Sequence, residues 1–197
     1  MDAYGVLVNN NDIMIENKKD LHYYIKEDEL ANGIKSQFQY YLRLFFKAEN
    51  ACVVHYLHVL RREEYFYNNK KTILNRLAYY WYKLRKTRLS QKYSIGIMVN
   101  TVGAGLHIPH IAGGVIINCK SMGEYCTVNG GVVIGRKNSQ DEIATIGKNV
   151  TFSVGCKVFG KICIGDNVFI APNAVVFKDI SSNSIVGGIP AYDLKQK

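Results

Sequence analysis

The C-terminal half of the chain carries a large apolar residue at every sixth position. Six side chains follow this spacing: Ile146, Phe152, Val158, Ile164, Ile170 and Val176. The residues four positions after each are small or aliphatic: Val150, Cys156, Ile162, Val168, Ala174 and Ile180. A period of six matches neither the 3.6 of an α-helix nor the 2 of a β-strand. It indicates an internal repeat, in which three six-residue sides form a thin coil and stacked coils bury the apolar positions.

The repeat extends back to residue 102 with two irregularities. The earlier inward positions are Val102, Leu106, Ile108 and Ala112, and the next are Met122, Cys126, Val128, Val132 and Ile134. The phase changes by two between them, which predicts two extra residues near Gly113-Gly114. The polar run 136–144 takes the place of one hexad and is predicted to bulge from a corner as a loop. Gly and Asn at 147–149 and 165–167 suit tight corners, because both tolerate positive φ.

The first 92 residues have helical rather than six-residue spacing. Residues 1–18 are predicted to be a loose or partly extended arm, and a short helix follows between Asp20 and Gly33. A second helix carries an apolar stripe at Phe38, Tyr41, Leu42, Phe45 and Phe46. Asn50 is predicted to cap a third helix that ends near Asn68. The fourth runs from about Lys71 to Leu89 with a stripe at Ile73, Leu74, Leu77, Trp81 and Leu84, and such stripes usually face a core.

Charge is concentrated in one stretch of the chain. The formal net charge is +9, and residues 60–92 hold ten Lys or Arg against two Glu. A basic stretch of this kind fits a solvated helix face, or a surface for an anionic membrane, a phosphorylated ligand or nucleic acid. The aromatic run 79–82 within it is typical of helix or subunit packing, and resembles an interfacial belt as a second interpretation. No nucleic-acid motif accompanies the charge, so nucleic acid is not predicted as a partner.

Composition also bounds the location of the protein. No apolar run approaches 18 residues, and the start has neither the basic nor the apolar region of a signal peptide. Five cysteines occur without metal-binding spacing, which favours a reducing cytoplasm. The prediction is a cytoplasmic protein, and peripheral contact with the inner face of the membrane stays open.

Residues one coil apart should form a column along one edge of the stack. Stepping back from Pro190 gives Pro172, Val154, Gly130 and finally His110. All are small or compact except the histidine. This column predicts a narrow groove for a long, thin ligand, with His110 at its reactive end.

Three segments give the pattern a family resemblance: NTVGAGLHIPHIAGGVIIN at 100–118, VNGGVVIG at 128–135 and IVGGIPA at 185–191. Together with the ladder they resemble the serine acetyltransferase family of hexapeptide-repeat acyltransferases, and within it the branch found among capsule and exopolysaccharide genes. The resemblance covers roughly residues 55–192. The resemblance implies that residues 93–192 form a left-handed parallel β-helix. The helical spacing predicts an all-α N-terminal region (1–92), and a basic C-terminal tail (193–197) is predicted after the β-helix. The resemblance also implies a homotrimer that uses acetyl-CoA as co-substrate.

The resemblance assigns roles to individual residues. It implies that His110 is the general base, which takes a proton from an acceptor hydroxyl as that hydroxyl attacks the thioester. The cofactor-binding positions are Gly130, Gly135, Val154, Pro172, Lys178 and Pro190, and the substrate-binding positions are Asn100, His107 and Asn129. No metal is predicted, since a zinc site on this fold needs three histidines and the region has only two.

Departures from the family pattern bear on the acceptor. Serine acetyltransferases place an Asp before the catalytic histidine, a second histidine before the ladder resumes and an Asp fifteen residues upstream. Here these positions are Pro109, Ile143 and Ile95. Groups for the charges of an amino acid are therefore missing, and we expect a sugar hydroxyl as acceptor. L-serine is the alternative, and a non-catalytic trimeric scaffold is the alternative of another class. Asn100 or a backbone carbonyl is predicted to orient His110.

Overall fold

The computed structural model describes residues 13–136 and 142–194. In these ranges four helices come first and thirteen short strands follow. The helices are α1 (Lys18–Ala31), α2 (Gln37–Phe45), α3 (Glu49–Asn68) and α4 (Ile73–Tyr93). The strands are β1 (Ile95–Ile97), β2 (Val115–Ile117), β3 (Ser121–Met122), β4 (Thr127–Val128), β5 (Val133–Gly135), β6 (Thr145–Ile146), β7 (Thr151–Phe152), β8 (Lys157–Phe159), β9 (Cys163–Ile164), β10 (Phe169–Ile170), β11 (Val175–Val176), β12 (Ile185–Gly187) and β13 (Tyr192–Asp193). Most of the predicted N-terminal arm and of the predicted loop at 136–144 lies outside the described residues.

Successive strands rotate through three sheets. One sheet has the order β1-β2-β5-β8-β11, the second has β13-β12-β10-β7-β4 and the third has β3-β6-β9. All neighbours are parallel except β12 and β13, which are antiparallel. In the middle of the stack each sheet has a pair of strands 18 residues apart: Thr151 pairs with Phe169, Thr145 with Cys163 and Lys157 with Val175, so one regular turn contains three six-residue sides. The predicted three-sided stack of coils is confirmed.

The ladder forms one core with the helical region. All twelve apolar residues of the two six-residue series are buried, and most are fully inaccessible. The same cluster includes Cys52, Val53, Tyr56, Leu57 and Leu60 on α3. The helical and coiled parts therefore share an apolar interior. Cys126 and Cys156 lie inside it, and burial raises the pKa of each thiol to about 12, which fits a packing role.

The first coil departs from the predicted spacing at one corner. Ile117 pairs with Ile134 in the ladder and follows the preceding inward residue, Ile108, by nine positions rather than six. Met122 then follows Ile117 after only five. The predicted net gain of two residues is correct, but it consists of a three-residue insertion followed by a one-residue deletion. Ala112, predicted to be inward, is exposed on the inserted corner, where glycines at 113–114 adopt positive φ.

The last coil is shorter than the others. Ile164 bridges Ile180 and Ile170 pairs with Val186, both at a separation of sixteen. The column drawn at steps of eighteen therefore fails here. Pro190 does not stack on Pro172 but lies in the turn between β12 and β13, where the Ile189–Pro190 peptide is cis. Because β13 ends at Asp193, the predicted domain boundary at 192 falls within a strand.

The helices form where the sequence predicts them, but two apolar stripes face outward. On α2 the five predicted stripe residues are exposed and only Tyr40 is buried. On α4 all five predicted stripe residues are exposed, while Tyr93 alone is buried. α3 instead contributes the helical core. It begins at Glu49 with Ala48 as its N-cap, so the predicted cap at Asn50 is wrong. No helix among the described residues combines the length and the apolar character needed to cross a membrane.

A buried ionic cluster joins the helices to the first coil. Arg61 on α3 contacts Asp28 at 2.8 Å and Glu64 at 3.1 Å, and all three side chains are fully buried. The guanidinium also donates to the carbonyls of Val102 and Gly103. Burial alone would lower the pKa of Arg61, but the two carboxylates raise it above its ordinary value. Arg61 belongs to the basic stretch predicted to be solvated, but its charge is paired with carboxylates inside the molecule.

Candidate functional site

His110 lies on the inserted corner of the first coil and meets the start of α3. Its side chain is 68% exposed, and its Nδ1 lies 3.2 Å from Oε2 of Glu49. The other oxygen, Oε1, accepts a hydrogen bond of 2.7 Å from the backbone N–H of Ile111. One carboxylate thus holds both the imidazole and the backbone beside it. The extra length of this corner brings His110 out to the helix.

Glu49 is suited to be an ionised partner. The N–H of Ile111 and the hydrogen bond with His110 lower the pKa of Glu49 from its ordinary value. The first turn of a helix also favours a negative charge. An ionised carboxylate only accepts hydrogen bonds, so Nδ1 of His110 is the donor to Glu49, and in the neutral imidazole Nε2 is then the acceptor. This is the state that a general base needs before it takes a proton from a hydroxyl.

The predicted partner of His110 is wrong. The N–H of Asn100 donates to Glu64 at 2.8 Å, and its side chain pairs with Asn68. Glu64 lies fifteen residues after Glu49 on the same helix, which is about 22 Å at 1.5 Å per residue. Within one chain, Asn100 therefore lies far from His110. The sequence offered no signal for Glu49, since an acidic residue in a first helical turn is ordinary.

The three positions that depart from the family pattern carry no charge. Ile95 is buried in β1 and pairs with Val115, while Pro109 and Ile143 are half-buried. A carboxylate at position 95 would lie in the apolar core. The acidic partner of the histidine therefore comes from a different element of the chain, the N-terminus of α3.

A cavity lies beside Glu49, and a second cavity adjoins it. The first, of about 480 Å³, is lined by Glu49, Lys92, Tyr93 and the corner residues 111–114. The second, of about 440 Å³, is lined mainly by apolar atoms of residues such as Ile116 and Val132. Ser94 and the glycines of the corner border both cavities. A ligand can thus place a polar head near Glu49 and an apolar portion further along.

The predicted column is interrupted directly below the inserted corner. A Cβ on Gly130 would lie 2.1 Å from the carbonyl oxygen of Ala112, so Ala112 and not His110 stacks over Gly130. Gly130 is buried between backbones and does not line an open groove. Lower in the stack the column holds, because Asn173 donates to the carbonyl of Val154 at 2.9 Å. Val154 and Pro172 are exposed at successive corners.

The remaining predicted cofactor positions lie towards the C-terminal end of the stack. Gly135 is half-buried in β5, beside the ring of Phe159. Lys178 is exposed and lines a cavity of about 340 Å³ with Asp179 and Tyr192 among its walls. The strand before Lys178, β11, lies three strand spacings from β2, the strand after His110, or about 14 Å along the stack. The two ends of the molecule could therefore contact opposite ends of one extended ligand.

The other predicted substrate residues, His107 and Asn129, lie in the first two coils. His107 bridges to Thr127 in the next coil. Its pKa is lowered by burial and then by the charge of His110. The side chain of Asn129 donates to the carbonyl of Phe152 at 3.1 Å, which orients it along the stack. Their role in substrate binding stays a prediction. Among the described residues, no group of three or more His, Cys, Asp or Glu is placed to hold a metal.

Part of the chain is similar in sequence to bacterial serine acetyltransferases. Serine acetyltransferase of Synechococcus elongatus is 40% identical over 91 residues, which is 45% of this chain and 37% of that protein. The enzyme of Helicobacter pylori strain J99 is 38% identical over 92 residues, which is 46% of this chain and 54% of that protein. The matches therefore span about a third to half of these relatives. No protein-family model matches the chain.

Solved structures of serine acetyltransferases have a similar fold over most of the chain. Neisseria gonorrhoeae serine acetyltransferase aligns with 90% of this chain and 67% of its own at a TM-score of 0.65 and 21% identity. The soybean enzyme complexed with serine aligns with 89% and 70% at a TM-score of 0.66 and 15% identity. At these identities the likeness is one of fold. The chain has the fold of serine acetyltransferases, and a little under half of it is similar to them in sequence.

Proposed function

We propose that this chain is an acetyl-CoA-dependent O-acetyltransferase in which His110 is the general base. The observation that carries the proposal is the contact of Nδ1 with Glu49, which leaves Nε2 available to a hydroxyl. Sequence similarity to serine acetyltransferases supports the same chemistry. A scaffold without catalysis has no use for an exposed histidine whose tautomer is fixed by a carboxylate.

The reaction we propose is a direct transfer. Nε2 of His110 takes the proton of the acceptor hydroxyl while its oxygen attacks the thioester carbonyl of acetyl-CoA. The carbon–sulfur bond breaks as the new ester forms, and the departing thiolate takes the proton back from the imidazolium. Glu49 stabilises that imidazolium and keeps its ring in place. Protons balance, and no oxidant or metal is required.

Acetyl-CoA is proposed to lie along the exposed corners of the stack. Val154 and Pro172 would contact the pantetheine arm, Gly135 would border it, and Lys178 would meet its phosphates. We propose that a second subunit supplies the opposite wall, in a homotrimer of left-handed coils. One serine acetyltransferase of the same fold has been solved in complex with CoA, which supports this use of the fold. We also propose that the enzyme acts in the cytoplasm.

L-serine is the acceptor that the relatives favour. Pro109 and Ile143 by themselves favour a sugar, yet the similar proteins are named for serine, and this ranks serine ahead. Glu49 adds a physical reason, because a carboxylate beside His110 can bind an ammonium group. That contact would replace the Asp that the family places at position 109.

A sugar hydroxyl remains the second candidate. Pro109 and Ile143 provide no charge for an α-amino acid, and burying an ammonium or carboxylate without a partner costs several kcal/mol, on the order of 3–5. An uncharged acceptor avoids that cost. A sugar acceptor would relate the chain to the capsule and exopolysaccharide enzymes.

The experiment is a thiol-release assay with acetyl-CoA and a panel of acceptors. L-serine is compared with nucleotide sugars and oligosaccharides at matched concentration, for the parent and for His110→Ala. Loss of a general base costs about 10²- to 10⁴-fold in rate, so the variant should lose transfer and keep acetyl-CoA binding. Release with serine alone supports the first acceptor, and release with sugars alone supports the second. No release with either, or a variant within threefold of the parent, contradicts the proposal.

A further inference from the structure

The outer face of α4 is an exposed apolar strip. Its members are Ile73, Leu74, Leu77, Tyr80, Trp81 and Leu84, with exposed fractions from 53% to 77%. They recur at intervals of three and four residues, so they share one side of the helix over about three turns. We call this set the α4 strip. A monomer rarely exposes so continuous an apolar surface unless something binds it.

The opposite face of α4 is the one that holds the helix to the protein. Tyr82 stacks on Phe66 of α3 with ring centroids 5.5 Å apart. Lys86 pairs with Glu63 of α3 at 2.8 Å, and Tyr79 contacts Tyr67. Attachment to α3 therefore does not use the α4 strip, which is left for an outside partner.

Positive charge surrounds the α4 strip. The helix contains six Lys or Arg and no Asp or Glu. Arg76, Lys83, Arg85 and Arg88 are exposed, and the guanidinium of Arg85 lies 5.1 Å from the ring centroid of Trp81. An apolar strip flanked by cations, with an aromatic residue among its members, is the composition of a helix that lies flat in a membrane interface.

We propose that α4 docks on an anionic lipid surface, with the α4 strip inserted among the acyl chains and its cations against the headgroups. A two-fold contact with a second copy of this chain suits the surface less well, because it would bring the exposed Arg and Lys side chains of two α4 helices together. An anionic membrane provides the opposite charge, at about 1 kcal/mol for each Lys or Arg near it. This docking is independent of the acyl-transfer chemistry proposed above.

The test uses the full chain and lipid vesicles. We measure co-sedimentation with phosphatidylcholine vesicles that contain or lack phosphatidylserine, at low and high salt. Binding should require phosphatidylserine and weaken with salt, since screening shortens the reach of the charges. Trp81 is the only tryptophan of the chain, so its emission should shift to the blue on binding, and brominated lipid should quench it.

Matched variants distinguish binding through the α4 strip from nonspecific binding. Leu77→Glu with Leu84→Glu should abolish binding, while Leu42→Glu with Phe45→Glu, which alters the exposed stripe of α2, should not. Arg76→Glu with Lys83→Glu should weaken binding by at least about tenfold, and the same charge change at Lys120 and Lys161 should have little effect. The variants of α4 should keep transfer to a soluble acceptor, which shows that they fold.

Three outcomes would overturn the proposal. Equal binding to neutral vesicles would show that charge has no role. Loss of binding in the α2 variant would show that the docking surface is not the α4 strip. If Leu77→Glu with Leu84→Glu instead changes the subunit number seen by sedimentation, the α4 strip is an interface between copies of this chain.

Discussion

At the scale of single residues, the site depends on a pair that no sequence motif contains. Glu49 and His110 are 61 positions apart, and their contact exists because an inserted corner reaches the first turn of α3. Glu49 is a positioning residue, since it acts on the reacting atoms only through the imidazole. Its contribution should therefore be smaller than that of the base.

Replacing Glu49 by Gln tests this role. Gln can still accept the N–H of Ile111 but no longer stabilises an imidazolium, so kcat should fall by about 10- to 100-fold, less than the about 10²- to 10⁴-fold for a lost base. Glu49→Asp should recover part of the rate, because it restores the carboxylate. A Glu49→Asp variant no more active than Glu49→Gln would indicate a merely structural role.

Gly130 provides a second test at this scale. Because Ala112 covers it, Gly130→Ala should force two backbones apart and destabilise the fold by about 1–3 kcal/mol. Gly96→Ala is the matched control, since a Cβ there meets no atom within 4 Å. Urea unfolding of both variants gives the difference. If Gly130→Ala is as stable as the parent but binds acetyl-CoA poorly, Gly130 lines the groove after all.

At the scale of elements, α3 is the link between the two parts of the molecule. Its apolar residues belong to the ladder core, and its Arg61 bonds both to Asp28 of α1 and to carbonyls of the first coil. The same helix carries Glu49 at its start. Any change that tilts α3 against the coil should therefore displace Glu49 from His110.

Arg61→Ala is expected to unfold or loosen this junction. It leaves two buried carboxylates without their counter-charge, and breaking a buried pair in this way costs about 3–5 kcal/mol. Arg62→Ala removes a neighbouring, half-buried arginine and should cost much less. Thermal and urea unfolding of the two variants measure the contrast. Equal stability would mean that the cluster contributes no net free energy to the fold.

At the scale of the whole molecule, one row of corners and part of the coil surface are exposed. Val154 and Pro172 are exposed at successive corners, and so are several apolar side chains of the coil, among them Phe169 and Ile185. A neighbouring coil would cover them and close the groove. We therefore expect a trimer in sedimentation at micromolar concentration, and activity that falls as the trimer dissociates on dilution. A monomer with full activity would exclude the proposed wall from a second subunit.

The sequence by itself determined the repeating part of this protein. Each coil contacts its neighbours through residues a fixed distance apart, so a six-residue period in apolar side chains is enough to specify the stack. Helix positions were likewise predictable from local spacing and breakers. The resemblance also singled out His110, because the motif around it is contiguous in the chain.

Tertiary structure decided what local spacing cannot express. An apolar stripe indicates that one side of a helix avoids water, but not what covers it, and the stripes of α2 and α4 remain exposed. The six-residue period gives the net number of extra residues at an irregular corner, but not the path that the chain takes through it. Only the structure shows that Ala112, and not His110, lies over Gly130. The partner of His110 required contact between distant segments, and such contact depends on how α3 packs against the coil.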